Sequence, residues 1–435
     1  MARRPCRKAR IPRKKARAST SSQPASSWPD LPPDLAGDVL GRLPSYADRI
    51  CFGAVCRSWR SSARQHHARP LLPCLCFADG TFRGFPAEAR PFRLRSAAGH
   101  HSSCGEWLVF ERDDGAYSLV DPFCKDSAPV AVLPSLSRVR VRYEPIVAVP
   151  ERELPECRHL WVPRERDAEP QTAVSLLKLV VCSSRLVAAV VGQGRHGRLA
   201  LCRPGAASWS VSGREPWRRL KDMAYYQGKL YVVDQNEDLL AVTVADDDAE
   251  LPAMSRLDRV VKGRPPVADV RRRVTLHYLV ESGDGALLMV RREISRARER
   301  RPGKIWMGGE MDEEMTVLEA DFRSSRWKEV EGALCGEQAL FVGRWCSRAV
   351  RVPDERRVEW ADRIFFLEDG TGEEWHNLRS LRYSLSVYMM KGVDFQWCDL
   401  PRRGRAESLL PLMVSKDGDD LPATWIFPRD RTPCP

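Results

Sequence analysis

The sequence predicts a small all-α module followed by an all-β propeller, with a disordered basic arm before them. Residues 1–27 are rich in Arg, Lys, Ser and Ala and carry too little apolar content to fold. The next segment places apolar side chains at helical intervals, whereas from Pro70 onward short β-prone runs alternate with Gly and Asp turns. The predicted boundaries are 1–27 for the arm, 28–68 for the helical module, 69–85 for a linker, 86–430 for the propeller and 431–435 for a tail.

The arm carries most of the net charge of +12. Its nine basic residues precede the first acidic residue, Asp30, and the charge of the remaining chain is nearly balanced. Basic segments of this kind occur as nuclear import signals, as organelle transit peptides and as solvated tails that no receptor binds, and all three interpretations stay open. The residues of the candidate import signal are Arg13, Lys14, Lys15 and Arg17.

Composition limits the class of protein. With 435 residues, of which 43% are hydrophobic, the chain can form two or three domains with a sizeable core. It has neither the run of about eighteen apolar residues that a membrane span needs nor an apolar stretch behind the basic start. Its fourteen cysteines form no Cys-x-x-Cys motif, so we expect reduced, mostly buried thiols. We therefore expect no membrane partner and a location in the nucleus and/or cytoplasm.

Two helices are predicted in the helical module. After Pro33, apolar residues recur at helical intervals up to Leu43, and Pro44 ends the run. Ser45 follows as an N-cap with Asp48 at the capping-box position, so a second helix begins there. Its apolar residues are too many for the core of so small a unit, and we expect some of them to contact another chain. These residues are Ile50, Phe52, Val55, Cys56 and Trp59.

The helical module resembles an F-box. The residues that carry the resemblance are Leu31-Pro32, Asp34-Leu35, Val39-Leu40, Leu43-Pro44, Asp48 and Val55-Cys56-Arg57-Ser58-Trp59-Arg60. The resemblance implies that the module binds an SKP-type adaptor and, through it, a cullin-RING ubiquitin ligase. The adaptor contacts that it implies are Leu31, Pro32, Leu35, Val39, Leu40, Leu43, Pro44, Val55 and Trp59. Val55 and Trp59 have an alternative place in the core of the module, and an ordinary helical hairpin is the alternative for the whole segment.

Short strands joined by Gly and Asp turns make up the rest of the chain. Such a series is too long for one sandwich, whereas radial repetition of small sheets shields strand edges as the chain lengthens. Tryptophans recur near the ends of strand runs, at Trp209, Trp327 and Trp397, and indicate weakly similar blades of open number. The predicted strands are 107–110, 116–120, 176–181, 186–191, 198–202, 223–226, 230–233, 239–244, 274–280, 286–290, 316–322, 339–342, 349–352, 364–367 and 384–388.

The large domain resembles the plant domain of unknown function 295, a β-propeller type that commonly follows an F-box. The strings that carry this resemblance include GEWLVFERDDGAYSLVDPF, LKLVVCSSRLVAAVV, YYQGKLYVVDQNEDLLAV and LHYLVESGDGALLMVRR. The chain departs from the family where Asp121-Pro122 stands in place of Asn-Pro and where residues 291–315 form a charged insertion. With the F-box in front, the resemblance implies a substrate receptor that performs no chemistry itself.

One glycine-rich motif, residues 192–197, satisfies the G-x-G-x-x-G pattern of dinucleotide-binding sites. That fingerprint needs a helix immediately after it, whereas residues 198–202 are predicted to form a strand that stops at Pro204. The sequence therefore favours a hairpin loop here over a nucleotide site.

Other polar residues form no pattern of a catalytic, metal or nucleic-acid site. The eight histidines are dispersed and are expected at the surface. The acidic runs 246–250 and 310–314 lack the ligand spacing of a calcium loop, which favours solvated loops. Basic residues from 291 to 301 precede the second acidic run, so we predict a charged solvent loop rather than a phosphate-binding surface. We expect no catalytic residue, metal, cofactor or nucleic-acid partner.

The function expected from the two resemblances is the substrate-recognition subunit of an SCF-type E3 ubiquitin ligase, built from an SKP adaptor, a cullin and an F-box protein. The F-box would bind the adaptor, and the propeller would bind an unknown protein target. The alternative is an interaction or regulatory propeller that acts without ubiquitin, for example by holding a nuclear partner. Loops 192–197, 246–250 and 296–314 are candidate target surfaces, because loops commonly carry function.

Overall fold

The computed structural model describes most of the helical module and the strands of the large domain. The basic arm, the acidic run 246–250 and the predicted strand 384–388 lie outside the described residues. The described residues are 28, 31–43, 46–65, 72–84, 91–124, 129–137, 139–142, 175–193, 196–212, 220–245, 252–264, 273–296, 311–330, 334, 337–354, 357–367, 395–399, 407–410 and 423–428.

The N-terminal module is helical, as predicted. Its helices are α1 (Pro33–Gly41), α2 (Tyr46–Val55) and α3 (Arg57–Gln65). Pro33 occupies the first position of α1, where its missing N–H breaks no helical hydrogen bond. The predicted second helix is divided into α2 and α3 at Cys56, whose Sγ accepts a hydrogen bond from the N–H of Trp59 at 3.4 Å. The core of the module consists of Ala36, Leu40, Phe52 and Ala63.

The described part of the large domain forms six sheets, which are the blades of a propeller. Blade 1 contains β1 (Cys74–Phe77), β2 (Thr81–Gly84) and β3 (Phe92–Arg93). Blade 2 contains β4 (Ser102–Cys104), β5 (Trp107–Glu111), β6 (Tyr117–Val120) and β7 (Ala131–Leu133). Blade 3 contains β8 (Val139–Arg142), β9 (Ser175–Ser183), β10 (Leu186–Gln193), β11 (His196–Cys202) and β12 (Trp209–Ser212).

The remaining blades follow in chain order. Blade 4 contains β13 (Leu220–Tyr226), β14 (Lys229–Asp234), β15 (Leu239–Ala245) and β16 (Ala253–Val261). Blade 5 contains β17 (Arg273–Glu281), β18 (Leu287–Arg296), β19 (Met311–Asp321) and β20 (Arg326–Glu329). Blade 6 contains β21 (Gln338–Val342), β22 (Arg348–Arg351), the short helix α4 (Arg357–Trp360), β23 (Arg363–Phe366), β24 (Phe395–Asp399) and β25 (Glu407–Leu410).

The ring closes in blade 1, where the last strand, β26 (Ala423–Ile426), pairs antiparallel with β1. The structure therefore differs from the linker predicted at 69–85, because β1 and β2 lie in this range. The run Cys74–Phe77 is buried along its whole length and lacks the alternation of a half-exposed strand. Its partner is far away in sequence, so no local pattern indicates the pairing.

The inner strands of neighbouring blades follow one another around the axis. Strand β26 contacts β4, β4 contacts β9, β9 contacts β13, and β13 contacts β17. Between blades 5 and 6, β17 contacts both β21 and β22. Residues 343–347 connect β21 with β22. We call this segment the axial loop because it contacts the inner strand β9 of blade 3 and the turn that follows the inner strand β4 of blade 2.

Tryptophans join adjacent blades, which gives a physical reason for their recurrence in the sequence. Trp209 and Trp425 are buried, and Trp327 is half-buried. The indole N–H of Trp209 donates to the carbonyl of Pro134, which follows blade 2, at 2.9 Å. The indole of Trp327 in blade 5 donates to the carbonyl of Glu237 in blade 4 at 2.6 Å. Trp425 in β26 donates to Val342 of blade 6 at 3.0 Å. The side chain of Trp397 lies outside the description.

The charged insertion predicted at 291–315 is not a solvent loop at either end, and the prediction is wrong there. Strand β18 continues to Arg296, and β19 begins at Met311, with the two strands paired over this stretch. Arg292 is buried, and its guanidinium lies 4.2 Å from the ring centre of Phe366 in blade 6. The predicted acidic loop at 310–314 is likewise strand from Met311 onward. Charge alone suggested solvent, whereas the blade packing supplies partners for the arginines.

The glycine-rich motif at 192–197 is a hairpin, as predicted. Strands β10 and β11 pair down to Gln193 and His196, so a strand follows the motif where a dinucleotide site needs a helix. Among the helices of the described residues, none has the length and apolar character of a membrane-spanning helix.

Candidate partner-binding site

Two apolar side chains of α1 project into solvent. Leu35 is 51% exposed and Val39 is 40% exposed, and they lie one helical turn apart. Their sequence neighbours Ala36 and Leu40 face the core of the module instead. Adjacent apolar groups in water are typical of a surface that another protein covers. We call Leu35 and Val39 the α1 surface.

Further apolar side chains of the module are exposed outside α1. They are Ile50 and Val55 on α2 and Trp28 before α1, of which Val55 is 55% exposed and Trp28 is 74% exposed. The sequence prediction of adaptor contacts included Val55 but omitted the other two. Ile50 belongs to the apolar set of the second predicted helix, so its spacing carried the available signal. Trp28 stands outside any periodic run, and no pattern pointed to it.

The predicted adaptor residues differ in how far their side chains reach the surface. Leu40 is buried in the core of the module, with 3% of its surface exposed. Pro44 lies outside the described residues. The half-buried residues are Leu31, Leu43 and Trp59, which pack against that core. The exposed ones are Pro32, Leu35, Val39 and Val55.

Trp59 serves the interior of the module as well as its surface. Its ring stacks on Phe52 with 4.6 Å between centroids. Its indole N–H donates to the carbonyl of Trp28 at 3.1 Å, and the two tryptophan rings meet edge to face. Trp59 therefore fixes the segment that precedes α1 and supports the position of its exposed ring.

The helical module packs on the propeller through α2. The ring of Tyr46 lies 4.1 Å from that of Phe123, which follows β6, and Tyr46 is buried in a cluster with residues of blades 1 and 2. Phe123 also contacts Phe82 in β2 at 5.3 Å. The propeller thus covers one side of α2, while Leu35 and Val39 stay uncovered.

Comparison with known proteins agrees with this architecture. The family model of the F-box domain matches residues 28–68, and that of the KIB1-4 beta-propeller matches residues 82–389. The chain belongs to the KIB1-4 beta-propeller family. The expectation of an F-box followed by a propeller is therefore confirmed.

Two curated plant proteins are similar to parts of this KIB1-4 propeller chain. F-box protein SKIP23 of Arabidopsis thaliana is 34% identical over 112 residues, which are 22% of this chain and 27% of that protein. Tubby-like F-box protein 3 of Oryza sativa subsp. japonica is 41% identical over 49 residues, which are 10% of this chain and 11% of that protein. The chain thus spans about a quarter or less of the length of these relatives. No solved structure matches the chain.

At the axis of the KIB1-4 propeller, a buried ion pair holds the axial loop. The Lys178 ammonium in β9 lies 2.7 Å from the carboxylate of Asp222 in β13, and only 2% of the Asp222 side chain is exposed. Asp222 also accepts hydrogen bonds from the backbone N–H groups of Met223 and Leu279. Lys178 donates to the carbonyl of Arg344 at 3.0 Å. Burial raises the pKa of Asp222, although Lys178 opposes this effect.

A second polar cluster joins blades 4 and 5. The Glu237 carboxylate accepts a hydrogen bond from the buried His277 at 3.1 Å and ion pairs with Arg291 and Arg264. Burial acts to raise the pKa of Glu237, but His277 and the two guanidinium groups outweigh it, so the pKa lies below its ordinary value. Burial lowers the pKa of His277. The surface position expected for all histidines is therefore wrong for His277, because a carboxylate of the next blade pairs with it.

The described residues contain no group of three His, Cys, Asp or Glu side chains placed to bind a metal ion. The cysteines in this part of the chain are free, and Cys104 and Cys182 near the axis are buried. Burial raises the pKa of each of these two thiols to about 12. They are therefore protonated and poor nucleophiles at neutral pH.

Proposed function

We propose that the chain is the substrate-recognition subunit of an SCF-type E3 ubiquitin ligase. Its F-box binds an SKP-type adaptor on a cullin-RING scaffold, and its propeller binds a protein target for ubiquitination. The F-box match at residues 28–68 and the relatives that are themselves F-box proteins support this role. The combination of F-box and propeller fits a non-catalytic adaptor.

The observation that carries the proposal is the exposure of Leu35 and Val39 on α1. Their burial against an adaptor removes apolar surface from water, which contributes about 25 cal/mol per Å² before the costs of association. The neighbouring core residues Ala36 and Leu40 keep α1 in place, so the surface is present before the adaptor arrives. Pre-organisation of this kind lowers the entropy cost of binding.

The mechanism is proximity. A receptor that holds a target beside an activated ubiquitin thioester raises the effective concentration of target lysines and forms no bond itself. It needs no cofactor for this task. It does need a fixed geometry between the adaptor-binding and target-binding surfaces, which the contact between Tyr46 and Phe123 supports.

Affinity capture from plant cells tests this function. The tagged chain is compared with Leu35→Asp/Val39→Asp, and recovered proteins are quantified by mass spectrometry. Val130→Asp is the matched control, because Val130 is an exposed valine on the propeller. Recovery of an SKP-type adaptor and a cullin with wild type and control, and their loss with the double variant, is the expected result. Capture of stable partners without an adaptor would instead favour a propeller that acts without ubiquitin.

We also propose that Arg13, Lys14, Lys15 and Arg17 form a nuclear import signal and that the protein works in the nucleus and cytoplasm. The absence of acidic residues before Asp30 supports this assignment. The test is a fluorescent fusion in which the four basic residues are replaced by alanine. Nuclear signal should fall in the variant, whereas import into an organelle by the wild type would assign the arm as a transit peptide.

A further inference from the structure

We propose that the F-box pairs with the F-box of a second copy of this chain when no adaptor is bound. The contact joins an acidic pair on α1, Asp34 and Asp38, to a basic pair on α3 of the second copy, Arg60 and Arg64. It is reciprocal, so the same four residues of each copy take part. The regulatory consequence rests on the proposed function, because it assumes that the adaptor binds the α1 surface.

The acidic pair lies beside the exposed apolar residues of α1. Asp34 and Asp38 are exposed and four positions apart, so they lie on one face of the helix, about one turn from each other. Each of them directly precedes one residue of the α1 surface, Leu35 or Val39. A partner that covers the acidic pair therefore also reaches these two apolar side chains.

The basic pair has the same spacing on α3. Arg60 and Arg64 are exposed and four positions apart, and Arg57 extends this face by a further turn. A different face of α3 carries Trp59 and Ala63, which pack in the core of the module. Residues four apart on a helix have Cβ atoms about 5–6 Å from each other, so the two carboxylates and the two guanidinium groups match in spacing.

Within the part of the chain that the structure describes, none of these four charges belongs to an ion pair. Helices α1 and α3 pack on each other, but the acidic pair and the basic pair of one copy do not meet. Arg60 donates its Nε–H to the carbonyl of Gly53 in α2 at 3.0 Å. This neutral acceptor restrains the side chain and leaves its charge uncompensated, so the guanidinium can still bind a carboxylate.

A second copy supplies both halves of the match at once. Its α3 offers two guanidinium groups to the acidic pair, and its α1 offers two carboxylates to the basic pair. A contact of this kind is self-complementary, which is the requirement for a two-fold symmetric dimer. A long polyanion such as nucleic acid fits the basic pair less well, because the same module exposes Asp34, Asp38 and Asp48, which repel phosphates.

The charges make the dimer weak and dependent on salt. Exposed ion pairs contribute little singly, and dissolved ions screen them. Burial of Leu35 and Val39 against the second copy adds an apolar contribution that salt does not screen. We therefore expect a dimer that forms at low ionic strength and dissociates on dilution or on addition of salt.

Dimer formation hides the surface that the adaptor needs. Leu35 and Val39 cannot be buried against a second copy and an adaptor at the same time, so the two partners compete. Binding equilibria that share one surface are linked by mass action. Self-association thus keeps these apolar residues out of water until an adaptor displaces the second copy.

Sedimentation velocity of the purified full-length chain tests the pairing. In the variant Asp34→Lys/Asp38→Lys, both faces are basic, and in Arg60→Glu/Arg64→Glu both faces are acidic. Each variant is measured alone and in an equimolar mixture with the other. Thermal unfolding of each variant checks that it remains folded.

The wild-type chain should form dimers at about 50 mM NaCl and monomers at about 500 mM, because added salt shortens the Debye length. Each double variant alone should be monomeric at low salt, since its two faces then carry charges of one sign. The mixture should form dimers again, because one copy brings two basic faces and the other brings two acidic ones. Arg185→Glu/Arg326→Glu is the control at two exposed arginines of the propeller and should dimerise like wild type.

The pairing is overturned if the wild type stays monomeric at low salt, or if the mixture stays monomeric while both variants are folded. Dimers that persist equally in both double variants would also contradict it. If a double variant does not fold, a wild-type dimer that salt leaves unchanged overturns the pairing. An added RNA oligonucleotide that sediments with the wild type in place of a second copy would assign the basic pair to nucleic acid instead.

Adaptor binding, measured on the same preparations, separates this inference from the proposed function. An SKP-type adaptor that lowers the dimer fraction of the wild type supports both. If the adaptor binds a chain that never dimerises, the pairing is wrong and the ligase function stands. If the chain dimerises through these residues and no adaptor binds, the ligase function fails and the pairing stands.

Discussion

The aromatic rings of Tyr46 and Phe123 pack against each other at a tilt across the junction between the F-box and the propeller, with 4.1 Å between their centroids. Tyr46 opens α2, and Phe123 follows the end of β6, so the contact ties a helix of the adaptor-binding module to blade 2. Rings at this distance gain energy beyond the area that they bury, about 0.5–1.5 kcal/mol. The junction therefore gives the F-box a defined place on the propeller.

Removal of the Tyr46 ring should loosen this junction. We expect Tyr46→Ala to cost about 3–5 kcal/mol of the free energy of unfolding, because a large buried side chain leaves a cavity. Limited proteolysis between α3 and β1 measures the loosening. Tyr46→Phe keeps the ring and should stay closer to wild type than Tyr46→Ala, and Ile50→Ala on the exposed side of α2 is a surface control. Equal proteolysis of Tyr46→Ala and wild type would contradict a packed junction.

Loss of Lys178 should destabilise the axis in a pH-dependent manner. Lys178→Met leaves the Asp222 carboxylate buried without its charge partner, at a cost of about 3–5 kcal/mol at neutral pH. Because burial raises the pKa of Asp222 in the folded protein, protonation favours the folded state, and the deficit should shrink as pH falls towards 4.

Thermal midpoints of wild type and Lys178→Met between neutral and acidic pH measure this deficit. Lys229→Met, at an exposed lysine, is the control and should show no pH-dependent difference. Hydrogen exchange at residues 343–347 should also rise in Lys178→Met, since the Arg344 carbonyl loses its donor. A deficit that is constant with pH would show that Asp222 is not the group responsible.

His277 should make the propeller less stable at mildly acidic pH. Burial holds the pKa of His277 below its ordinary value of about 6.5, so the stability that its neutral form contributes is present above that pH and is lost as pH falls below it. The charged groups that face it are Glu237, which opposes the shift, and Lys221 and Arg291, which add to it. His277→Gln keeps an N–H donor for Glu237 and removes the titration.

The measurement is the thermal midpoint of wild type and His277→Gln from pH 7.5 to 5, a range that spans the ordinary pKa of histidine of about 6.5. Wild type should lose stability more steeply than the variant below that pKa. Parallel curves would mean that His277 does not change its proton affinity on folding.

Even a conservative replacement of an interblade tryptophan should lower the free energy of unfolding. Trp209→Phe removes the indole N–H that donates a hydrogen bond to the carbonyl of Pro134. This carbonyl stays buried without its donor. An unsatisfied buried acceptor costs about 1–3 kcal/mol. Chemical denaturation measures the loss, and Trp345→Phe, at a half-buried tryptophan of the axial loop, is the comparison. A smaller loss at Trp209 than at Trp345 would contradict the role of the indole as an interblade link.

Local signals in the sequence predict much of the fold. Pro33 starts α1. Gly115 and Gly285 adopt left-handed backbone conformations in two turns, and each turn connects a pair of predicted strands. The tryptophan recurrence predicted a blade architecture, which the bonds of Trp209 and Trp327 explain. These features depend on residues that are close in sequence or on side chains with strong backbone preferences.

The predictions that the structure corrects failed for a common reason, which is contact between residues far apart in the chain. The pairing of β26 with β1 makes a strand of the predicted linker. Glu237, which follows β14 of blade 4, provides the partner that allows His277 to be buried and Arg291 to be half-buried in blade 5. The sequence of the axial loop contains no motif that we recognise, because Trp345 and His101 meet only when the blades form the propeller.

Titration calorimetry of the purified full-length chain with a purified SKP-type adaptor tests the central claim most directly. Wild type should bind in a one-to-one complex with a negative heat-capacity change, because apolar surface at Leu35 and Val39 becomes buried. Leu35→Asp/Val39→Asp should weaken binding by at least about tenfold, and Val130→Asp should not. Equal affinity of wild type and the double variant, or no binding by a folded wild-type chain, would contradict the account.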